Sequence, residues 1–408
     1  MLPTTLLVVS CVSIFGAFIT HNVINHYIPI FIARNLYGQD QCKKEKSKVP
    51  EPMGAIAAAV YSIVILALIP FMFYEWMSIG VSEVYPYIQL LAFLSAIISI
   101  WTAISLGFAD DILDLRWRDK LLFPTFSSLP VLIVYHVCGH STTILLPNFV
   151  VPYVGHQSIN IGFLFYIYMG MLMVFCTNSI NILAGINGIE ASQGLIISTT
   201  VAIYNIIQLV RGEGIQWHQT FSLAIILPFI AINYTLYRFN RYPAKVFVGD
   251  TFCYWAGMTI AVVGILGHFP KTLLLFFVPQ IFNFLFSIPQ LFKWVPCPRH
   301  RLPKYDEKTD KLSMSKFEFS EKQTKFLGKI VLKIFSTFGL IDLTTTTKED
   351  ETFYQVNNFT ILNLLLKIFG PMHESDLARV FIIVQITCSV IALFVRFYFA
   401  GFVYDIVR

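Results

Sequence analysis

An all-α polytopic membrane protein with about ten transmembrane helices is the fold class this sequence predicts. Three observations carry that expectation. The 408 residues are 56% hydrophobic and only 13% charged, with mean hydropathy +0.67, whereas a soluble domain carries about a quarter charged residues. Apolar runs of about 20 residues, the length that crosses a hydrocarbon core, recur along the chain. Basic residues crowd alternate loops, as the positive-inside rule requires.

The first span, 4–33, is apolar from Leu6 to Phe18 and runs on to Ile32. It lacks a basic leader region and a clear cleavage site, so it reads as a membrane helix and not a removed signal peptide. Its His21, Asn22 and Asn25 are expected to face other helices, because polar groups avoid lipid. The remaining spans are predicted at 54–75, 86–108, 121–137, 159–183, 191–210, 218–236, 246–267, 271–292 and 376–402. Pro124 and Pro130 interrupt the short fourth span, and Pro279 and Pro289 predict kinks in the ninth.

The loops decide orientation. Arg34, Lys43, Lys44, Lys46 and Lys48 follow span 1, Arg116, Arg118 and Lys120 follow span 3, and Arg238, Arg241 and Lys245 follow span 7. Loops 76–85 and 138–158 contain no Lys or Arg. The basic loops are therefore expected in the cytosol, with both termini on the other side. Residues 1–408 read as one membrane domain, and 293–375 as a cytosolic loop insertion between spans 9 and 10. Runs Lys316–Phe319 and Lys329–Phe335 within it predict short strands or an amphipathic helix.

A net charge of +5 with no basic arm excludes a nucleic-acid binder. The seven cysteines are scattered without a Cys-x-x-Cys pair, which argues against a disulfide framework or a zinc site. The sequons at Asn233 and Asn358 fall on the basic side and are expected to stay unmodified.

Five polar clusters gather on that same side. Asp110, Asp111 and Asp114 precede Arg116, Arg118 and Lys120; paired acids bind a divalent cation or a proton, and the cations receive phosphate oxygens. Without such a role they read as a solvated loop. Asn178 and Asn181 share one helix face ahead of Gly185, Asn187 and Gly188; amide oxygens suit a hard cation, and a glycine lets a planar ring approach. Asn178 and its neighbours also suit interhelical hydrogen bonding. Gly249-Asp250-Thr251 aims a carboxylate into the mouth of the bundle or simply caps a helix. Arg299, His300 and Arg301, set between Pro298 and Pro303, form a stiff cationic prong. Gln39-Asp40-Gln41 with Glu51 makes a fainter fifth group. Together they suit a diphosphate substrate carrying a divalent ion.

Several motifs resemble one family. They are Phe108-Ala109-Asp110-Asp111, Cys176-Thr177-Asn178, Asn181 through Gly188, Phe247 through Phe252, Gly264 through Phe269, Pro298 through Arg301, and Leu364 through Lys367. The chain resembles the polyprenyl-phosphate N-acetylhexosamine-1-phosphate transferases over essentially its whole length, and the Pro-Arg-His-Arg run favours their eukaryotic branch. The resemblance implies ten spans, Mg²⁺, often a homodimer, an endoplasmic reticulum address with the site cytosolic and both termini lumenal, and sensitivity to tunicamycin. It implies UDP-N-acetylglucosamine and dolichyl phosphate as substrates in the first step of N-glycan precursor assembly.

By motif, the resemblance implies Asn181 and Asp250 as Mg²⁺ ligands. It implies Gly185, Asn187 and Phe247 as a uridine pocket, aided by Gln41. Lys120 and Arg301 match diphosphate contacts, Arg299, His300 and Arg301 the sugar end, and Asp110 and Asp111 the acceptor phosphate. Gln39 and Glu51 match further loop positions. Asp114 departs from the family, whose members often carry Asn there. Direct attack by the acceptor phosphate is the favoured chemistry, with an aspartyl-phosphate route left open. The competing class is a nucleotide-sugar or polyprenyl-lipid transporter, but such a protein should hold its charges near the midplane rather than at span ends.

Overall fold

The computed structural model describes residues 2–44, 46–79, 85–212, 216–348 and 351–404. Helix α1 (Leu2–Ala33) leads into a hairpin of β1 (Tyr37–Gln39) and β2 (Lys48–Pro50), then α2 (Gly54–Ile79), α3 (Tyr85–Leu113) and α4 (Trp117–Val137). On the opposite face, β3 (Thr143–Leu145) and β4 (Ser158–Asn160) pair around the one-turn α5 (Val151–Val154). Helices α6 (Phe163–Ile182), α7 (Ile189–Arg211), α8 (Gln216–Asn240) and α9 (Gly249–Leu266) follow. The pair α10 (Pro270–Phe276) and α11 (Val278–Leu291) is bent by 74°. Among the described residues nine helices are long and apolar enough to cross a bilayer, or ten if the bent pair is one span.

The insertion is more ordered than its length suggested. A hairpin of β5 (Lys304–Asp306) and β6 (Lys311–Ser313) precedes β7 (Lys316–Ser320), α12 (Phe326–Thr337), β8 (Thr344–Lys348) and β9 (Glu351–Asn357). The last three strands form an antiparallel sheet in the order β7-β9-β8. Phe319, Leu332, Ile341, Val356 and Phe359 make its core and reach Phe286 of α11. Helix α13 (Ile361–Phe369) then hands the chain to α14 (Glu374–Phe394), which continues through a wide turn to α15 (Ala400–Val403).

Four expectations are corrected. The helices outrun the apolar stretches: α3 continues to Leu113, so Asp110 and Asp111 lie in its last turn and not in a loop. The ninth span breaks at Phe277, between α10 and α11, while Pro279 sits in the first turn of α11, where a missing N–H costs nothing. Pro124 and Pro130 lie inside a continuous α4. His21, Asn22 and Asn25 are exposed. Asn25 donates to the His21 carbonyl one turn back (3.0 Å), so the amide is satisfied within its own helix, and the bundle contact reduces to His21 against Phe239.

Both sequon asparagines are buried, Asn233 donating to the Ala191 carbonyl (3.1 Å) and Asn358 to the Ser315 hydroxyl (2.8 Å). All seven cysteines are free.

Helix α9 is the axis of the bundle, buried along nearly its whole length. Close approach makes this possible. A Cβ on Gly257 would lie 2.4 Å from the Cys176 carbonyl of α6, and one on Gly107 of α3 would lie 2.7 Å from Thr251 Cα. Backbone cannot yield as a side-chain tip can. Gly257→Ala is therefore expected to destabilise the fold by about 1–3 kcal/mol, read as a lower melting temperature in detergent; an unchanged melt would show that α6 and α9 separate freely.

Candidate active site

The site is built where α3, α4, α6 and α9 end on one face. Asp111 accepts from the backbone N–H of Asp250 (2.6 Å) and of Thr251 (2.8 Å), and from the Thr251 hydroxyl. A carboxylate from α3 thus caps the N-terminus of α9, where free N–H groups and the helix dipole favour negative charge. Gly249 turns the chain there with φ +73°, and a Cβ would lie 2.3 Å from Pro52 and 2.8 Å from the Asp111 carboxylate, so only glycine fits.

Lys120, in the first turn of α4, bridges Asp110 (3.0 Å) and Asp250 (2.8 Å). The other Asp250 oxygen accepts from the Asn181 amide (3.0 Å). Asp110 is buried and also takes the Leu115 N–H (3.1 Å) and the Tyr254 hydroxyl (3.4 Å). Among the described side chains, Asp110 and Asp250 share the Lys120 ammonium, and Asp111 adds a third carboxylate beside them. Hard oxygen donors with a deficit of positive charge fit Mg²⁺, which takes one or two protein oxygens and completes its shell with phosphate and water. Asp250 and the Asn181 amide oxygen would hold it.

Asp114 stands apart. It ends α3 in the left-handed conformation (φ +47°) and is exposed. Asp and Asn both tolerate that backbone, which accounts for the departure from the family pattern without a third ligand. Arg116 is exposed, and the Arg118 side chain lies outside the described residues. Asn178 donates to the Val174 carbonyl of its own helix (2.9 Å).

A second group surrounds Asn187. Its amide donates to Asp40 (2.9 Å) and to Glu374, its backbone N–H donates to Glu374 (2.7 Å), and its oxygen accepts from Ala244 N–H (2.8 Å). Burial would raise the Asp40 carboxyl, but hydrogen bonds from Lys43 and Asn187 hold it below the usual range. Gln39 and Gln41, the loop residues named from sequence, are exposed, and the buried Asp40 between them is what reaches the cluster. Asp40, Cys42 and Glu374 also lie close enough to hold a metal ion. Their chemistry argues against it: Asp40 is already engaged, and burial pushes the Cys42 thiol up to about 12, so it stays protonated.

The cationic prong runs past Gly185 and α13. Asn363 of α13 donates to the Arg301 carbonyl (2.9 Å), and Leu302 rests against Gly185, whose N–H donates to Glu190 (2.9 Å). Arg299 and His300 are exposed. Nη1 of Arg301 is buried with no hydrogen-bond partner among the described residues. Phe247 is half-buried, and its ring packs on Gly38 of β1.

The comparisons fit this geometry. Residues 93–268 match the model for glycosyl transferase family 4, and 315–358 match the DPAGT1 insertion domain. A UDP-N-acetylglucosamine–dolichyl-phosphate N-acetylglucosaminephosphotransferase of Saccharomyces cerevisiae is 39% identical, covering 97% of this chain and 92% of its own. Relatives of the same name in Schizosaccharomyces pombe (42%; 92% and 88%) and Dictyostelium discoideum (37%; 94% and 87%) agree. The chain belongs to this phosphotransferase family.

Within the phosphotransferase frame, Asp40, Glu190, Thr251, Asn363 and Glu374 are the site-lining residues that sequence reasoning did not nominate. Glu190 lies two residues beyond the asparagine-rich run, and Asp40 within the faint loop cluster. Glu374 opens α14, far along the chain, and carried no signal.

Glu51 is raised to about 7, by burial first and then by the charges of Asp111, Asp250 and Glu190. A raised carboxyl makes the folded state bind the extra proton, so this contribution to stability falls as pH climbs from the ordinary carboxylate range to about 7 and is flat above. Without Mg²⁺, the melting temperature of Glu51→Gln is expected to drop less over that window than the parent's; parallel curves would place the Glu51 titration elsewhere.

Proposed function

We infer that this chain transfers N-acetylglucosamine 1-phosphate from UDP-N-acetylglucosamine to dolichyl phosphate, releasing UMP and forming dolichyl diphosphate N-acetylglucosamine. The observation that carries this reading is Asp250 held between Lys120 and Asn181 at the lip of the bundle. It presents fixed charge at a lipid head group's depth, on a chain 37–42% identical to phosphotransferases of that name.

The acceptor is already an anion, so a phosphate oxygen attacks the β-phosphorus directly, and the bond to UMP breaks. Asp110 has donors on both oxygens and is best read as orienting Lys120. That favours direct attack over an aspartyl-phosphate intermediate. Lys120 and the partnerless Nη1 of Arg301 offset charge on the transferring group. Bound Mg²⁺ supplies Lewis-acid neutralisation of the diphosphate. A base stacking between Gly185 and Phe247 displaces Leu302, so the prong shifts when the nucleotide enters. Asn187 lines that pocket, Arg299 and His300 meet the sugar, and Asp111 acts by holding the α9 N-terminus. The charge of the basic loops supports a site on the cytosolic face with both termini lumenal, in the endoplasmic reticulum membrane that the family resemblance implies. A homodimer accords with the family.

Purified protein should release UMP only with both substrates and Mg²⁺, and EDTA should stop it. Lys120→Ala is expected to lose about 10²–10³-fold in turnover, and Asp250→Ala essentially all; a folded Asp250→Ala with near-normal turnover would defeat the reading. Glu374→Ala frees the Asn187 amide and should raise KM for the nucleotide sugar about 5–100-fold, with KM for dolichyl phosphate unmoved. Equal changes in both would mean a general loss of structure.

A further inference from the structure

Helix α12 carries an apolar stripe that none of the described residues covers. Phe326, Leu327, Ile330, Ile334 and Phe338 all lie on it, with Phe326 77% and Phe338 76% exposed. The opposite side is occupied: Gly328 and Leu332 are buried against the insertion core. Lys325, Lys329 and Lys333 recur at the i, i+4, i+8 spacing of one helical face. Lys329 bonds Glu321 (2.7 Å). A contiguous apolar stripe of this size on a small domain marks an interaction surface.

The position of the helix says what covers it. The Lys325 N–H donates to the Trp294 carbonyl (3.0 Å), three residues beyond the end of α11, and a Cβ on Gly328 would lie 2.2 Å from the same oxygen. The Phe335 ring lies 5.2 Å from that of Phe286, within α11 itself. At its other end, the carbonyl of Gly339 accepts from Lys367 of α13, whose exposed Ile368 and Phe369 extend the apolar surface towards the start of α14. The stripe therefore runs between the points where two membrane-crossing segments leave the bilayer.

We propose that α12 lies in the bilayer interface, its apolar stripe among the acyl chains and its lysines on anionic phospholipid head groups. A helix with an apolar face, a row of lysines and attachment to a span end has the build of an interfacial helix, with the lysine stems reaching up to the head groups. Anionic lipid on the leaflet facing the site adds the electrostatic part. The helix anchors the insertion, and with it Asn363 and the Arg301 prong, at the depth of a lipid substrate's phosphate.

The test uses the full chain in nanodiscs of phosphatidylcholine, with or without phosphatidylserine, containing lipids brominated on the acyl chains. An environment-sensitive fluorescent amino acid replaces either Ile330 or the exposed β8 residue Thr346, and UMP release reports folding separately. Quenching several-fold stronger at 330 than at 346 is expected. It should rise with phosphatidylserine, and Lys325→Glu with Lys333→Glu should remove that rise. Equal, weak quenching at both positions would overturn the proposal and leave the stripe to a protein partner. Strong quenching that ignores phosphatidylserine would overturn the head-group part. Quenching is read independently of turnover, so the lipid contact and the transferase reading fail separately.

Discussion

The contact on which the site depends is the Asp111 carboxylate set across the N-terminus of α9. It takes two backbone N–H groups and a hydroxyl from Asp250 and Thr251. Those donors have no partner within their own helix. Satisfying them from α3 fixes the axial position of α9, and that position puts Asp250 beside Lys120 and Asn181. The same junction demands glycine at 249, because any side chain there strikes Pro52 and Asp111 itself. Asp111 ties α3 to α9, and the Asp250 carboxylate it positions meets α4 through Lys120 and α6 through Asn181, so the charged groups are positioned by rigid backbone rather than by loops.

This arrangement explains why the charges lie at helix ends and not in mid-span. An ion deep in hydrocarbon needs a partner or a water path. Lys120, Asp110 and Asp250 satisfy one another at the lip, where a head group from the bilayer and a soluble nucleotide can both arrive. The buried amides deeper down are neutral: Gln280 donates to Gln193 (2.9 Å) and to Gln385 (2.7 Å), tying α11 to α7 and α14 below the break. Neutral amides bind helices together at that depth at a lower desolvation cost than ions.

Much of this was legible because hydropathy and loop charge act over long windows. The spans and the clustering of polar motifs at span ends follow from those patterns, whereas Asp110, Lys120, Asn181 and Asp250 were singled out by the motifs in which they stand. The break at Phe277 did not, since both halves are equally apolar and the prolines nearby pointed to other positions. Asp114 looked like a third carboxylate of the site because composition cannot see φ; its left-handed backbone shows a helix end. Glu374 was invisible because it lies at the end of the 293–375 insertion, before the predicted span 376–402, and only the fold brings it 187 positions back to Asn187.

That long-range contact has a consequence for how the site holds together. Asn187 spends one amide hydrogen on Asp40 and the other on Glu374, while its oxygen takes Ala244 N–H. The β1–β2 loop, the α8–α9 loop and the head of α14 are therefore all fixed to one side chain. A carboxamide saturated by two carboxylates cannot flip without leaving a buried charge unpaired. One oxygen of Glu374 is already buried without a hydrogen-bond partner among the described residues. Asn187 is accordingly the rigid wall of its pocket, and the motion needed to admit a base falls instead on Leu302 and the prong, which only the Arg301 carbonyl and its neighbours tie to α13.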